Sequence, residues 1–232
     1  MTYYFYIPIY FTQAFMCFVG VIGIRKYKQL QSPLRILEWY ILLSIVIDGV
    51  KDVMINQNIR TLWLSQCFNV VELFLFSGIY YHWRTSNRDG VLIWASFIIY
   101  LIIWIVGKFS FEPFTGSNDY SSAVSQTIQI GFGMWLMFAL LKDTLTSWKK
   151  NPMFWVISGI ILYAASSFFL FGLFSVMLTL PRQIMRFVYL SNMFFIILQY
   201  IFFLRAFLCK PASAGINQPS EGHSETEKTF GR

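Results

Sequence analysis

The stretch GVLIWASFIIYLIIWIVG, residues 90–107, decides the fold of this chain. It contains no charged side chain and no proline. A helix needs roughly 17 to 25 mostly apolar residues to cross a hydrocarbon core about 30 Å thick. The stretch therefore predicts a helix that spans a membrane.

Six more apolar runs lie before and after it, separated by polar or charged residues. Together the runs cover residues 3–24, 35–55, 62–83, 90–107, 120–141, 153–174 and 186–208. Of all residues, 56% are hydrophobic and only 12% are charged, whereas soluble domains have about 25% charged residues. We expect an all-α fold, a seven-transmembrane-helix bundle over residues 1–210. The polar segment 211–232 predicts a disordered cytoplasmic tail, because it cannot bury a core.

The basic residues divide unequally between the two sets of loops. One set holds only four, namely Arg60, Lys108, Arg182 and Arg186. The other holds eleven, namely Arg25, Lys26, Lys28, Arg35, Arg84, Arg88, Lys142, Lys149, Lys150, Arg205 and Lys210. By the positive-inside rule, this predicts an outside N-terminus and a cytoplasmic C-terminus. The net charge of +7 then indicates contact with anionic membrane lipids, and not nucleic-acid binding.

Neither a signal peptide nor a metal site is indicated. The start, MTYYFYIPIYFTQ, has no basic region before its apolar run, so we expect the first helix to stay in the mature protein. Cys17, Cys67 and Cys209 have no paired spacing, which argues against a disulfide framework or a zinc site. We expect no cofactor.

The second run carries three charged residues on one helical face, Asp48, Lys51 and Asp52. We expect Asp48 near the middle of the membrane and the other two closer to the outer interface. A charged side chain at the membrane centre costs about 2.5 to 3.5 kcal/mol on insertion scales, so Asp48 should face protein, water or a countercharge. Two interpretations stay open: a cluster that only neutralises itself, or part of a functional site.

The third run places Ser65, Asn69 and Glu72 on one face, with Glu72 close to the bilayer centre. An isolated carboxylate there is expected to take up a proton. A neutral Glu72 bonded to Asn69 is the structural interpretation. The functional one is a proton, cation or amine site that Glu72 shares with Asp48.

Polar residues also follow single faces of later runs. The fifth run predicts a polar stripe inside the bundle, formed by Ser122, Ser125, Gln126 and Gln129. The seventh run begins with Arg182 and Arg186 and continues down one face with Tyr189, Asn192 and Gln199. We assign Arg182 to lipid phosphates and Arg186 to the interior, where it could hold Asp48 or Asp52.

The sixth run is rich in small residues, which let membrane helices approach closely. They are Ser158, Gly159, Ala164, Ala165, Ser166 and Ser167. We expect close packing there, and Tyr163 either fills a groove or points its hydroxyl into the interior.

Several functions are excluded by missing residues. The last helix has no lysine for a retinal Schiff base. The two histidines, His82 and His223, lie at a helix end and in the tail, which argues against haem with two axial histidines. Metalloprotease and nucleotide-binding motifs are absent from the sequence.

Three strings carry a resemblance: FNVVELFLFSGIYY in the third run, FWVISGIILYAASSFFLF in the sixth, and the closing YIFFLRAFLC. They resemble an uncharacterised group of bacterial seven-helix membrane proteins, which are similar to the membrane portions of some sensor histidine kinases. The resemblance implies a location in the inner (plasma) membrane of a bacterial cell. It also implies that Asn69 and Glu72 line an internal polar cavity, with Tyr163 nearby. Because no kinase domain follows Lys210, it also implies a separate cytoplasmic kinase or regulator as partner.

We therefore expect a sensory or signalling module, not an enzyme, with an intramembrane polar cavity. Alternatives are a small transporter or an ion- or proton-coupled carrier using Asp48 and Glu72, and a lipid-modifying enzyme. The sequence carries no signal for an oligomeric state. The candidate ligand or ion site comprises Asp48, Lys51, Asp52, Asn69, Glu72, Arg186, Asn192 and Gln199, with no catalytic or metal residue.

Overall fold

Seven long α-helices make up most of the computed structural model, which describes residues 3–84, 86–110, 112, 114, 119–142, 148–172 and 181–209. They are α1 (Tyr3–Lys26), α2 (Ser32–Asn56), α3 (Leu62–His82), α4 (Asn87–Ser110), α5 (Asp119–Lys142), α6 (Pro152–Gly172) and α7 (Arg182–Leu208). These described ranges contain no β-strand. The predicted all-α fold is confirmed, while the proposed tail at 211–232 lies outside the described residues.

Six of the helices are long and apolar enough to cross a membrane. The exception is α2, which has 25 residues but carries Arg35, Glu38, Asp48, Lys51 and Asp52. The length of α2 still exceeds the roughly 20 residues that a membrane requires. The chain is therefore a multi-pass integral membrane protein, and the seventh crossing stays a prediction.

The helices form a closed arrangement in which each packs on the next. The strongest neighbours are α5 with α6 and α6 with α7, and α1 closes the arrangement by packing on α7. Helix α3 also packs on α5. Because consecutive helices pack across short connections, they alternate in direction, and α3 faces both α2 and α5.

This alternation gives the bundle two ends of different charge. We call the end at which α1 finishes and α2 begins the basic face, and the other end the opposite face. Arg25 and Lys26 lie in the last turn of α1, Lys142 in the last turn of α5, and Arg205 in the last turn of α7. The grouping of basic residues expected from the sequence therefore exists in three dimensions.

The outside of the bundle carries many large apolar side chains. Helix α4 exposes Ile98, Ile99, Ile102 and Val106, which suits contact with lipid chains. At the α6–α7 contact, a Cβ on Gly159 would lie 3.3 Å from the Gln199 carbonyl oxygen. The close packing expected of the small residues in α6 is therefore confirmed at this glycine.

Candidate functional site

A set of polar side chains is buried in the middle of the bundle, between α2, α3 and α5. We call this set the polar core, and its members are Tyr40, Ser44, Asn69, Glu72, Ser122, Ser125, Gln126 and Gln129, all of them buried. The polar stripe predicted for α5 is confirmed. The neighbouring helices place it there, because α3 packs on α5 and also on α2.

Glu72 is the acidic member of the polar core and is only 3% exposed. The hydroxyl of Tyr40 donates a hydrogen bond to Glu72 Oε1 at 3.4 Å. Tyr40 is held in place by aromatic neighbours, since its ring centroid lies 4.6 Å from that of Phe76 and 6.4 Å from that of Phe203. Glu72 is thus fixed by a partner on α2, and Asn69 is not that partner.

Other tyrosines are buried in the bundle without bonding to this acid. Tyr80, Tyr100 and Tyr200 are buried, and the Tyr200 hydroxyl donates to Met16 Sδ of α1 at 2.9 Å. Among the described residues, Tyr40 is thus the tyrosine that bonds to Glu72, and both roles considered for Tyr163 stay open.

Asn69 and the α5 stripe join α3 to α5. Asn69 Nδ2 donates to Ser122 Oγ at 3.0 Å, and the Tyr80 hydroxyl donates to the Gln129 carbonyl oxygen at 3.0 Å. Gln129 Nε2 donates to Ser125 Oγ at 3.4 Å. These bonds fix the position of α5 against the face of α3 that carries Glu72.

Two acceptors of the polar core are unused. Gln126 Oε1 and Gln129 Oε1 are buried and have no hydrogen-bond partner among the described residues. A buried acceptor without a donor costs about 1–3 kcal/mol, so such atoms need a reason to be there. Both therefore keep an unused acceptor inside the polar core.

The charged cluster on α2 lies beside the polar core, towards the opposite face. Lys51 Nζ lies 3.3 Å from Asp48 Oδ1, which matches the self-neutralising interpretation. Asp52 instead accepts a hydrogen bond from Gln13 Nε2 of α1 at 2.9 Å. Lys51 Nζ also lies 5.9 Å from the ring centroid of Phe68, which precedes Glu72 by one turn on α3. The cluster therefore adjoins the acid on α3 without bonding to it.

The predicted site residues of α7 differ in their exposure. Asn192 and Gln199 are buried, and Asn192 Oδ1 accepts a hydrogen bond from Ser166 Oγ at 2.9 Å. Arg186, in contrast, is exposed. Among the side chains that the structure describes, the one ion pair is Lys51 with Asp48. The expected pairing of Arg186 with Asp48 or Asp52 is absent from that set, since Arg186 is exposed and the acids bond to Lys51 and Gln13.

Sequence reasoning missed a buried acid on α2. Glu38 is 0% exposed and neither of its carboxyl oxygens has a hydrogen-bond partner among the described residues. Its carboxyl group lies against Gly23 of α1. A glutamate so close to the start of an apolar run looks like an interface residue, and only the α1–α2 contact reveals that it is enclosed.

Sequence reasoning also missed a second buried acid, which binds backbone N–H groups at the start of α5. Glu112 is buried, and its Oε1 accepts hydrogen bonds from the Tyr120 N–H at 2.6 Å and the Ser121 N–H at 3.3 Å. Glu112 Oε2 accepts from the Ser121 hydroxyl. The carboxylate thus satisfies free N–H groups at a helix start, but its separation from Tyr120 is too long for a capping motif to be recognised. Lys108, 8% exposed, lies nearby with Nζ 5.5 Å from the Trp104 ring centroid.

Metal binding gains no support from the part of the chain that is described. No three His, Cys, Asp or Glu side chains are grouped there so as to hold a metal ion. Cys17, Cys67 and Cys209 are free thiols.

Comparison with known proteins gives no homologue from which to transfer a role. The chain matches no protein family, no curated protein and no solved structure. The functional argument therefore rests on the polar core.

Proposed function

We propose that this protein is a sensory or signalling module, in which a signal received by the polar core reaches a separate cytoplasmic protein. The observation that carries the proposal is Glu72, enclosed at the middle of α3 and touched by the hydroxyl of Tyr40. Ionisable groups inside a membrane are expensive and usually mark function. We place the N-terminus outside and the basic face in the cytoplasm of a bacterial cell, because eleven basic residues belong to that side.

The distribution of polar groups along the bundle favours sensing over transport. From the opposite face, Asp52, Lys51 and Asp48 lead towards Glu72. Beyond Glu72 towards the basic face, four helices bury a mostly apolar layer, namely Leu37, Phe76, Ile79, Val156, Ile157, Phe203 and Phe207, and the polar residues buried among them are Glu38, Ser77 and Tyr80. A carrier exposes its site to each side in turn. A mostly apolar layer on one side of Glu72 supports a receptor over a carrier in this proposal.

The same layer suggests how a signal crosses the bundle. Tyr40 bonds to Glu72 and its ring packs on Phe76 and Phe203. A ligand or proton that changes the Tyr40–Glu72 bond therefore acts directly on the contact between α2, α3 and α7. Interiors this densely packed respond by shifting between discrete arrangements. The partner on the basic face, a kinase or regulator, would read the resulting positions of the helix ends. The protein itself catalyses no reaction in this proposal.

The test compares two buried glutamates. Native mass spectrometry of the protein in mild detergent should show a retained non-lipid compound that is lost in Glu72→Gln. Glu38→Gln is the matched control, because Glu38 is equally enclosed but lies outside the polar core. Loss of the compound in both variants, or in neither, would count against a site at Glu72.

A second experiment separates sensor from carrier. In liposomes the wild-type protein should bind the compound without moving it across the bilayer, and a cytoplasmic protein should co-purify at native expression. Compound-driven flux that Glu72→Gln or Asp48→Asn abolishes would instead establish the carrier. Turnover of a lipid would establish the enzyme.

A further inference from the structure

A cleft lies at the basic face, away from the polar core. The last turn of α1, the start of α2, the start of α6 and the end of α7 form it, and it contains about 500 Å³ of empty space, part of it open to solvent. Its polar lining consists of Lys26, Gln29 and Gln31. None of the described residues that line the cleft is acidic, and the charge among them is that of Lys26.

Lys26 is held in a way that leaves it available to a ligand. Its Nζ donates to the Phe207 carbonyl oxygen at 3.3 Å, and no carboxylate in the described residues forms an ion pair with it. An ammonium group has three donors. At least one of them therefore remains for an anion in the cleft.

Other basic residues of this face add to the positive potential. Arg35 Nε donates to the carbonyl oxygen of Leu30 at 2.9 Å, and Leu30 lines the cleft. Arg205 lies in the last turn of α7, one turn before Leu208 and Cys209 of the lining. Grouped charges of one sign raise the local concentration of a ligand of the other sign.

The rest of the lining is apolar. Leu30, Leu34, Phe207 and Leu208 belong to it, and Leu208 is exposed on its outer side. These residues lie at helix ends, which is the level of the membrane interface in a spanning bundle. The cleft thus offers an anion-binding group next to a surface for hydrocarbon.

We propose that this cleft binds the phosphate head group of an anionic membrane lipid, with Lys26 as the cation and the leucines against the lipid chain. Basic pockets between membrane helices on the cytoplasmic side recognise such head groups. The apolar wall favours a lipid over a free phosphate, because a free phosphate has no apolar part that could pack against it. This site is independent of Glu72 and of the proposed signalling role.

The test is lipid titration of the full chain in mild detergent, read by native mass spectrometry. Phosphatidylglycerol should bind more tightly than phosphatidylcholine with the same acyl chains. Lys26→Gln should weaken phosphatidylglycerol binding roughly fivefold, from about 1 kcal/mol for each lysine near an anionic surface, and leave phosphatidylcholine unchanged. Lys149→Gln is the matched control, since Lys149 is exposed on the same face outside the cleft.

Several outcomes would overturn the site. Equal weakening by Lys26→Gln and Lys149→Gln would mean diffuse attraction to the whole basic face. Equal binding of the two lipids would remove the role of charge. Displacement of the lipid by glycerol phosphate at a similar concentration would assign the cleft to a soluble phosphate ester. If Lys26→Gln does not fold, Leu208→Asn at the exposed rim should still weaken phosphatidylglycerol binding, and an unchanged affinity there would contradict the proposal.

Discussion

Replacing Gly23 by alanine tests how tightly Glu38 is enclosed between α1 and α2. A Cβ at Gly23 would overlap the Glu38 carboxyl group, with Oε1 at 3.0 Å and Oε2 closer still. Because Glu38 is 0% exposed, the displaced carboxyl must shift against buried neighbours. Forcing an extra methyl group into a packed interior costs typically 1–3 kcal/mol. Inside a helix, alanine is also more favourable than glycine by about 1 kcal/mol, which offsets part of this cost. A second glycine, replaced in the same way, is therefore needed as a reference.

Gly49 provides that reference, because a Cβ there would meet nothing within 4 Å. The helix-propensity gain is common to both variants, so Gly23→Ala should be less stable than Gly49→Ala by about 1–3 kcal/mol. The free energy of unfolding is measured by reversible denaturation in mixed micelles, followed by circular dichroism. In a Glu38→Ala background the difference should disappear, whereas Glu38→Gln should keep it. Equal stability of the two alanine variants in the wild-type background, or a penalty that survives Glu38→Ala, would refute the reasoning.

Three further predictions address other contacts. A double-mutant cycle of Asn69→Ala and Ser122→Ala should give a coupling of roughly 0.6 kcal/mol, the average for hydrogen bonds between membrane helices, and additive effects would mean that the 3.0 Å bond contributes nothing. Glu112→Ala should cost about 0.5–2 kcal/mol, as the loss of a helix cap does, and should speed hydrogen exchange at the first amides of α5; unchanged exchange would contradict the capping role. Burial raises the pKa of the Cys209 thiol, so its maleimide labelling in a chain with the other cysteines replaced should be slow and speed up with pH. Bound phosphatidylglycerol should slow it further, since Cys209 lines the cleft, and an unaffected rate would argue that lipid binds elsewhere.

The sequence alone determined the helical architecture. A run such as 90–107, long and without a charged residue, is typical of a membrane-spanning helix, in which all backbone groups bond within the segment. The inward position of the α5 stripe followed from the need to keep polar side chains away from lipid. The grouping of basic residues followed from the positive-inside rule. Helical spacing was sufficient to find Asn69, Glu72 and Gln129, since polar residues on one face of an apolar helix must avoid lipid.

Only the tertiary structure decided which of these residues touch. Tyr40, an aromatic residue in an apolar run, became the partner of Glu72, while Asn69 turned to Ser122. Arg186 stayed exposed, while the acids on α2 bond to Gln13 and Lys51. Glu38 became fully enclosed because Gly23 of another helix lies against it. Helical periodicity fixes the face on which a side chain lies, but its partner depends on the neighbouring helix, its rotation and its depth, and these are set by packing across the whole bundle.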